Sequence, residues 1–174
     1  MPTWRDWVHL TCSTRGQWLP GDPRGFRDHN HRVHSSGNYK DLPPLHEHAG
    51  LRIYAARLNQ QTVVLTRIQR TTIGESIIEK LNSMDIPIRI VALAATHVHA
   101  LIRVGEADAI PIFGRAKQFA SHRVRDQLPG TIWGEGSHPE RITDQTHYRN
   151  VVGYIRHHAL DGAWIWDRYP MKHR

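Results

Sequence analysis

His97-Val98-His99 interrupts an apolar run that extends from Ile90 to Val104. In an extended strand, residues i and i+2 point to the same face, so His97 and His99 present two imidazoles side by side while Val98 points into the core behind them. Further along, Tyr154-Ile155-Arg156-His157-His158 places a phenol and an imidazole at i and i+4, neighbours on one face of a helix. Two strand histidines and one helix histidine make a three-ligand metal site with open positions, which a catalytic metal requires. Such an ion would polarise a scissile phosphate while Tyr154 attacks as a covalent nucleophile. The residues alone leave other readings open. His97 and His99 also fit a hydrogen-bonded pair on a half-buried sheet face, and Tyr154 also fits a tyrosine at the edge of a core. Tyr148 is the rival phenol, but Val152 stands four residues after it, and His157 competes with His158 as third ligand. Two further His-x-His pairs, His29/His31 and His46/His48, lie with His34 among Pro, Gly, Asn and Ser, and read as solvated loop histidines because nothing orders their rings.

The elements that must hold these groups follow from periodicity. Trp7 to Thr14 alternates apolar and polar residues and reads as a first strand, closed by Arg15-Gly16. Arg15 to Ala49 carries Pro20-Gly21, Pro23 and Pro43-Pro44, shows no repeat, and has too few apolar residues for a core. It is expected to be a surface insertion at about 15–49 within a single 1–174 domain. Leu51 to Gln61 predicts a short helix and Thr62 to Thr66 a short strand. Ile73, Ile77, Ile78 and Leu81 predict a helix over 73–84, with Thr71 or Thr72 as cap. Ile88 to Ala94 and His97 to Val104 predict adjacent antiparallel strands in mid-sheet. Ile112 to Leu128 predicts a helix studded with Arg115, Lys117, His122, Arg123 and Arg125 and stopped by Pro129-Gly130, and Thr143 to Leu160 predicts the last helix, before the aromatic tail Trp164-Ile165-Trp166. Strands and helices interleaved in this way predict an α+β sandwich, helices on a mostly antiparallel sheet.

Composition narrows the partners. Lys and Arg outnumber Asp and Glu by 23 to 16, a net charge of +7, which favours polyanions and nucleic acid first. Cys12 is the only cysteine, so an intrachain disulfide or a cysteine-rich zinc site is excluded and a reducing compartment is expected. The N-terminal residues lack an apolar signal core, and no apolar run approaches the roughly 20 residues that span a bilayer. A cytoplasmic protein without membrane association is expected.

With these residues in order, the chain resembles the HUH endonucleases, specifically the single-tyrosine transposases of small insertion sequences and their relatives associated with repetitive extragenic palindromes. His97-Val98-His99 matches the motif of histidine, bulky hydrophobic residue and histidine after a hydrophobic strand. Ile132-Trp133-Gly134-Glu135-Gly136 resembles the family's Trp-containing strand before the nucleophile helix, Tyr154-Ile155 with Ala159-Leu160-Asp161-Gly162 resembles that helix, and Val8-His9-Leu10-Thr11 resembles the first strand. The likeness covers the chain apart from the insertion. It implies a ferredoxin-like fold that binds single-stranded or hairpin DNA, nicks it with Mg or Mn, and leaves a 5′-phosphotyrosine and a free 3′-hydroxyl. It further implies Tyr154 as nucleophile, His97, His99 and His158 as metal ligands, and a homodimer as the working assembly.

The chain departs from the family at His158, where relatives usually carry Asn or Gln. Lys117 resembles a basic residue on the corresponding helix of the family; with Arg115 and Arg123 it reads either as a phosphate contact or as part of a solvated basic face. Arg15, Arg24, Arg27, Arg32 and Lys40 of the insertion leave the same choice between DNA flanks and solvent. Two other functions fit parts of the pattern: a metal-dependent hydrolase of phosphodiesters that uses water, and a domesticated, catalytically silent binder of DNA hairpins.

Overall fold

In the computed structural model, the residues described are 3–17, 26–28, 31–33, 46, 48–58 and 62–170. After a short 3-10 turn at Trp4–Asp6 come β1 (Trp7–Ser13), β2 (Phe26–Asp28), β3 (His31–Val33), α1 (Ala49–Leu58), α2 (Arg67–Ser83), β4 (Ile88–Leu93), β5 (His97–Arg103), α3 (Ala109–Arg123), β6 (His138–Arg141), α4 (Gln145–His157) and β7 (Trp164–Asp167). The chain forms two compact units, Met1–Thr14 with Val64–Arg174, and Arg15–Val63. The second begins where the insertion is expected and reaches Val63. His29, His34, Arg24 and Lys40 lie outside the described residues.

The larger unit is built on one sheet of order β6-β1-β5-β4-β7, with every neighbouring pair antiparallel. Without β7, the order β6-β1-β5-β4 is that of a ferredoxin-like split βαβ arrangement, in which α2 and α3 are the crossover helices. This is the α+β architecture that periodicity predicts. The centre is apolar because β4 is buried along its whole length and β5 everywhere but its two ends.

Strand alternation divides the residues between two faces. One face carries Ile90, Ala92 and Leu101, which pack with Ile142 and with Val151, Val152 and Ile155 of α4. The other carries Cys12 of β1, which Lys117 of α3 reaches, and Trp164 of β7, whose ring lies against Gly74 of α2. The sheet is therefore covered by α4 on one side and by α2 and α3 on the other.

Several boundaries differ from the sequence expectation. Thr62 to Thr66 is assigned to no strand, although the Val63 amide donates to the Arg15 carbonyl and the Leu65 amide to the Ala95 carbonyl. Helix α2 starts at Arg67 rather than near Ile73, because Thr66 caps it and Gln69 closes a capping box. Trp133 makes only an isolated bridge to Thr14, and the strand before α4 is β6, at His138–Arg141. β6 is an exposed edge strand, where Pro139 sacrifices no interior ladder bond.

In the smaller unit, β2 and β3 pair antiparallel, and Thr62 donates its hydroxyl to the Gly16 carbonyl at 3.1 Å. No described helix is long and apolar enough to cross a membrane.

Candidate active site

β5 delivers His97 and His99 to the α4 side of the sheet, since they share the face of Leu101. Helix α4 is started by Asp144, whose carboxylate accepts from the His147 amide at 2.9 Å. Its Val151, Val152 and Ile155 are buried against the sheet, which turns Tyr154 to the helix edge, 53% exposed. His158 caps the helix but keeps helical backbone angles (φ −60°, ψ −16°), so the i, i+4 relation to Tyr154 survives. The end of α4 is anchored by Arg156, which donates to Asp167 of β7 at 2.7 Å, and Asp167 also pairs with the buried Arg89 of β4. Burial alone would raise the Asp167 carboxyl, but Arg156, the Tyr169 amide and Arg89 outweigh it and hold it below the usual range.

The three histidines converge. One ring nitrogen from each of His97, His99 and His158 lies within 4.8 Å of the others. The His99 and His158 rings stack at 4.5 Å, and His97 stands edge-on to both at 5.0 and 5.1 Å. The Tyr154 ring is 5.0 Å from His158 and 5.3 Å from His99. Tyr148, by contrast, packs between Trp4 and Trp7, at 5.2 and 5.4 Å, on the core edge. His157 is exposed.

A fourth imidazole, which the sequence reading placed only in the first strand, completes the arrangement. Nε2 of the buried His9 is 3.1 Å from His99 Nδ1, and Thr11 Oγ1 is 3.2 Å from the same nitrogen. Glu140 of β6 lies 3.9 Å from His9 Nδ1. With the His9 proton on Nδ1, facing this carboxylate, Nε2 accepts from His99 Nδ1 and leaves His99 Nε2 as a free lone pair. Thr96 Oγ1 occupies His97 Nδ1 in the same way, at 3.3 Å. His158 Nε2 is buried and has no hydrogen-bond partner. Burial holds all four rings below the ordinary histidine range, His99 to about 2. Neutral rings with available nitrogens are what metal coordination requires, so the donor set fits a divalent ion. Beside the cluster opens a cleft of about 420 Å³ that Tyr154 borders together with His9, Glu140 and Asn150.

The structure does not bring the basic residues of α3 to this cluster. Lys117 is buried, and its ammonium donates to Ser137 Oγ (2.9 Å), Cys12 Sγ (3.1 Å) and the Gly136 carbonyl (3.2 Å). An ammonium has three protons, so these acceptors leave none for a phosphate. Arg123 is exposed and pairs with Glu79 at 2.8 Å, and Arg115 is exposed.

No family model matches the chain, and no curated protein matches its sequence. A solved structure does match. The chain shares its fold with a REP-associated tyrosine transposase bound to a REP hairpin. The TM-score is 0.53 at 14% identity, over 90% of this chain and 67% of that one.

Proposed function

We propose that this protein nicks and rejoins single-stranded or hairpin DNA through a tyrosine nucleophile, with a divalent metal, Mg or Mn, held by His97, His99 and His158. The observation that carries the reading is the convergence of three imidazoles and one accessible phenol between β5 and the end of α4. The orphaned His158 Nε2 and the bonded Nδ1 atoms of His97 and His99 give each ring a nitrogen to offer. When bound, the metal supplies Lewis-acid polarisation of the scissile phosphate.

The protein's own groups supply the rest. Tyr154 Oη attacks phosphorus and forms the tyrosyl O–P bond; the P–O3′ bond breaks, and the departing 3′ oxygen takes up the proton that the phenol gives up. The products are a 5′-phosphotyrosine and a free 3′-hydroxyl, and joining is the reverse. His9 and Thr11 orient His99, while Asp167, through Arg156, holds the end of α4. Exposed Arg115 and Arg123 contribute phosphate contacts within the net positive field. The fold shared with a hairpin-bound transposase supports DNA hairpins as the partner. In this reading the protein works in the cytoplasm as a homodimer.

The test is a denaturing gel of the protein incubated with Mn and DNA labelled at its 3′ end, the end that the phosphotyrosine retains. A labelled protein adduct is expected. Free cleaved DNA without adduct would indicate a hydrolase that uses water, and an intact probe bound only in a salt-sensitive complex would indicate a silent hairpin binder.

A further inference from the structure

A second groove, of about 530 Å³, runs between the first turns of α2 and the start of β7, lined by Arg67, Arg70, Thr71 and the stretch from Gly162 to Ile165. Its shape follows from the sequence. Because Thr66 caps α2 and the helix starts at Arg67, Arg67, Arg70 and Thr71 fall at i, i+3 and i+4 on one helix face. One turn later, Gly74 offers no side chain, and Trp164 fills the space: a Cβ there would lie 2.3 Å from the indole. Trp164 is thereby drawn against α2, while the residue as a whole stays partly exposed and borders the groove.

This groove adjoins the candidate active site. Arg70 donates to the Gly162 carbonyl at 2.7 Å, fastening the loop after α4 to α2. That loop begins at His158, whose carbonyl accepts from the Ala163 amide at 3.0 Å. The groove wall therefore starts where the histidine cluster ends. Among the described residues, no carboxylate lines it.

We propose that the groove holds the single-stranded DNA flank of the strand cut at the histidine cluster, Arg67 and Arg70 facing phosphodiesters and the Trp164 indole receiving a base. The assignment rests on the nicking reading above and deepens it by giving the strand a path. Cations that track a backbone beside an aromatic face are the combination that unpaired nucleic acid uses. A groove of this volume is on the scale of small-ligand sites, into which unpaired nucleotides fit and a duplex does not. An anion-binding surface without the indole would suit an acidic peptide equally; Trp164 favours nucleic acid.

The test uses the full-length protein and fluorescence anisotropy with two probes, a labelled oligothymidylate and a blunt DNA hairpin without single-stranded flanks. Arg67→Ala should weaken oligothymidylate binding several-fold and reduce the slope of log K against log salt by about 0.7, the value for one phosphate contact on a single strand. Arg67→Glu should weaken it further, and neither change should alter binding of the blunt hairpin. Trp164→Leu, which keeps bulk against Gly74, should weaken oligothymidylate binding without changing the salt slope, with its melting curve as the control for folding. Wild-type affinity and slope in both Arg67 variants would overturn the assignment. So would an equal loss on both probes, which would report bulk charge, displacement of oligothymidylate by polyglutamate as effective as by unlabelled DNA, or a wild-type protein that does not bind oligothymidylate. If oligothymidylate binds with the expected Arg67 dependence while no covalent adduct forms on any DNA, the groove stands and the nicking reading fails.

Discussion

Replacing His9 with Ala should weaken divalent-metal binding without preventing folding. His9 is 8% exposed, its Nε2 is 3.1 Å from His99 Nδ1, and the two rings stack at 5.3 Å. Loss of a partner that orients a metal-binding histidine typically costs about 10–100-fold in affinity. Thr11 still holds the same nitrogen at 3.2 Å, which places the expectation at the lower end, near tenfold. Linkage turns this into a thermal shift. With Mn at ~100 times the wild-type Kd, binding adds about 2.7 kcal/mol to stability, whereas a tenfold weaker site at the same concentration adds about 1.4 kcal/mol. For a chain of this size, each kcal/mol moves Tm by about 2–4 °C, so Mn should raise Tm by about 5–11 °C in the wild type and about 3–6 °C in His9→Ala. Melting curves with and without Mn separate this from the direct cost of removing a buried ring, and calorimetric titration gives the affinity itself. Thr11→Val should weaken the site further when combined with His9→Ala. If His9→Ala matches the wild type in Mn affinity and in Mn-induced shift while His99→Ala loses both, the orienting role of His9 is refuted.

Three further outcomes are expected. Burial depresses the folded-state pKa of His9, His97, His99 and His158 below the unfolded value of about 6.5. The unfolded chain therefore takes up protons first, so the metal-free protein should keep this contribution above about pH 6.5 and lose it as pH falls, with a flatter profile in His99→Gln; a urea midpoint that does not fall between about pH 7.5 and about pH 5 would contradict this. Lys117→Met should cost about 1–3 kcal/mol in a denaturant titration, through lost bonds to Ser137, Gly136 and Cys12, and should leave the salt dependence of DNA binding unchanged; a slope reduced by about one unit would mean that Lys117 reaches a phosphate after all. His158→Asn should move adduct formation toward Mg, which prefers oxygen ligands, and away from Mn and Co. An identical metal ranking in both proteins would remove His158 from the ligand set.

The parts legible in the sequence are those governed by short periodicity. β4, β5 and their antiparallel pairing follow from two apolar runs separated by a short turn, and the shared face of His97 and His99 follows from period two. Tyr154 and His158 were legible as an i, i+4 pair, even though His158 lies one residue past the helix. Thr66-x-x-Gln69 is a capping-box helix start, but the polar first turns of α2 show no apolar period to mark it. β6 leaves no periodic signal, because His138-Pro139-Glu140-Arg141 is an exposed edge with no apolar alternation. His9 could not be assigned from local pattern, because its role depends on the β1–β5 register that sets Thr11 opposite His99 and brings His9 beside it. The surroundings of Lys117 are illegible for a related reason: its helix reads as a basic face, and only the fold sets its ammonium against Cys12 of β1 and the loop at Gly136 and Ser137.

Mapping the covalent bond between Tyr154 and DNA is the decisive measurement for the proposed function. The adduct formed with Mn and a 3′-labelled hairpin probe should be digested with nuclease and protease and read by tandem mass spectrometry. A nucleotide 5′-phosphate is expected on Tyr154, with no adduct in Tyr154→Phe and undiminished adduct in Tyr148→Phe. The exposure of Tyr154, 53%, predicts that its replacement leaves folding intact. A phosphate mapped to Tyr148, or an adduct that survives in Tyr154→Phe, would contradict it.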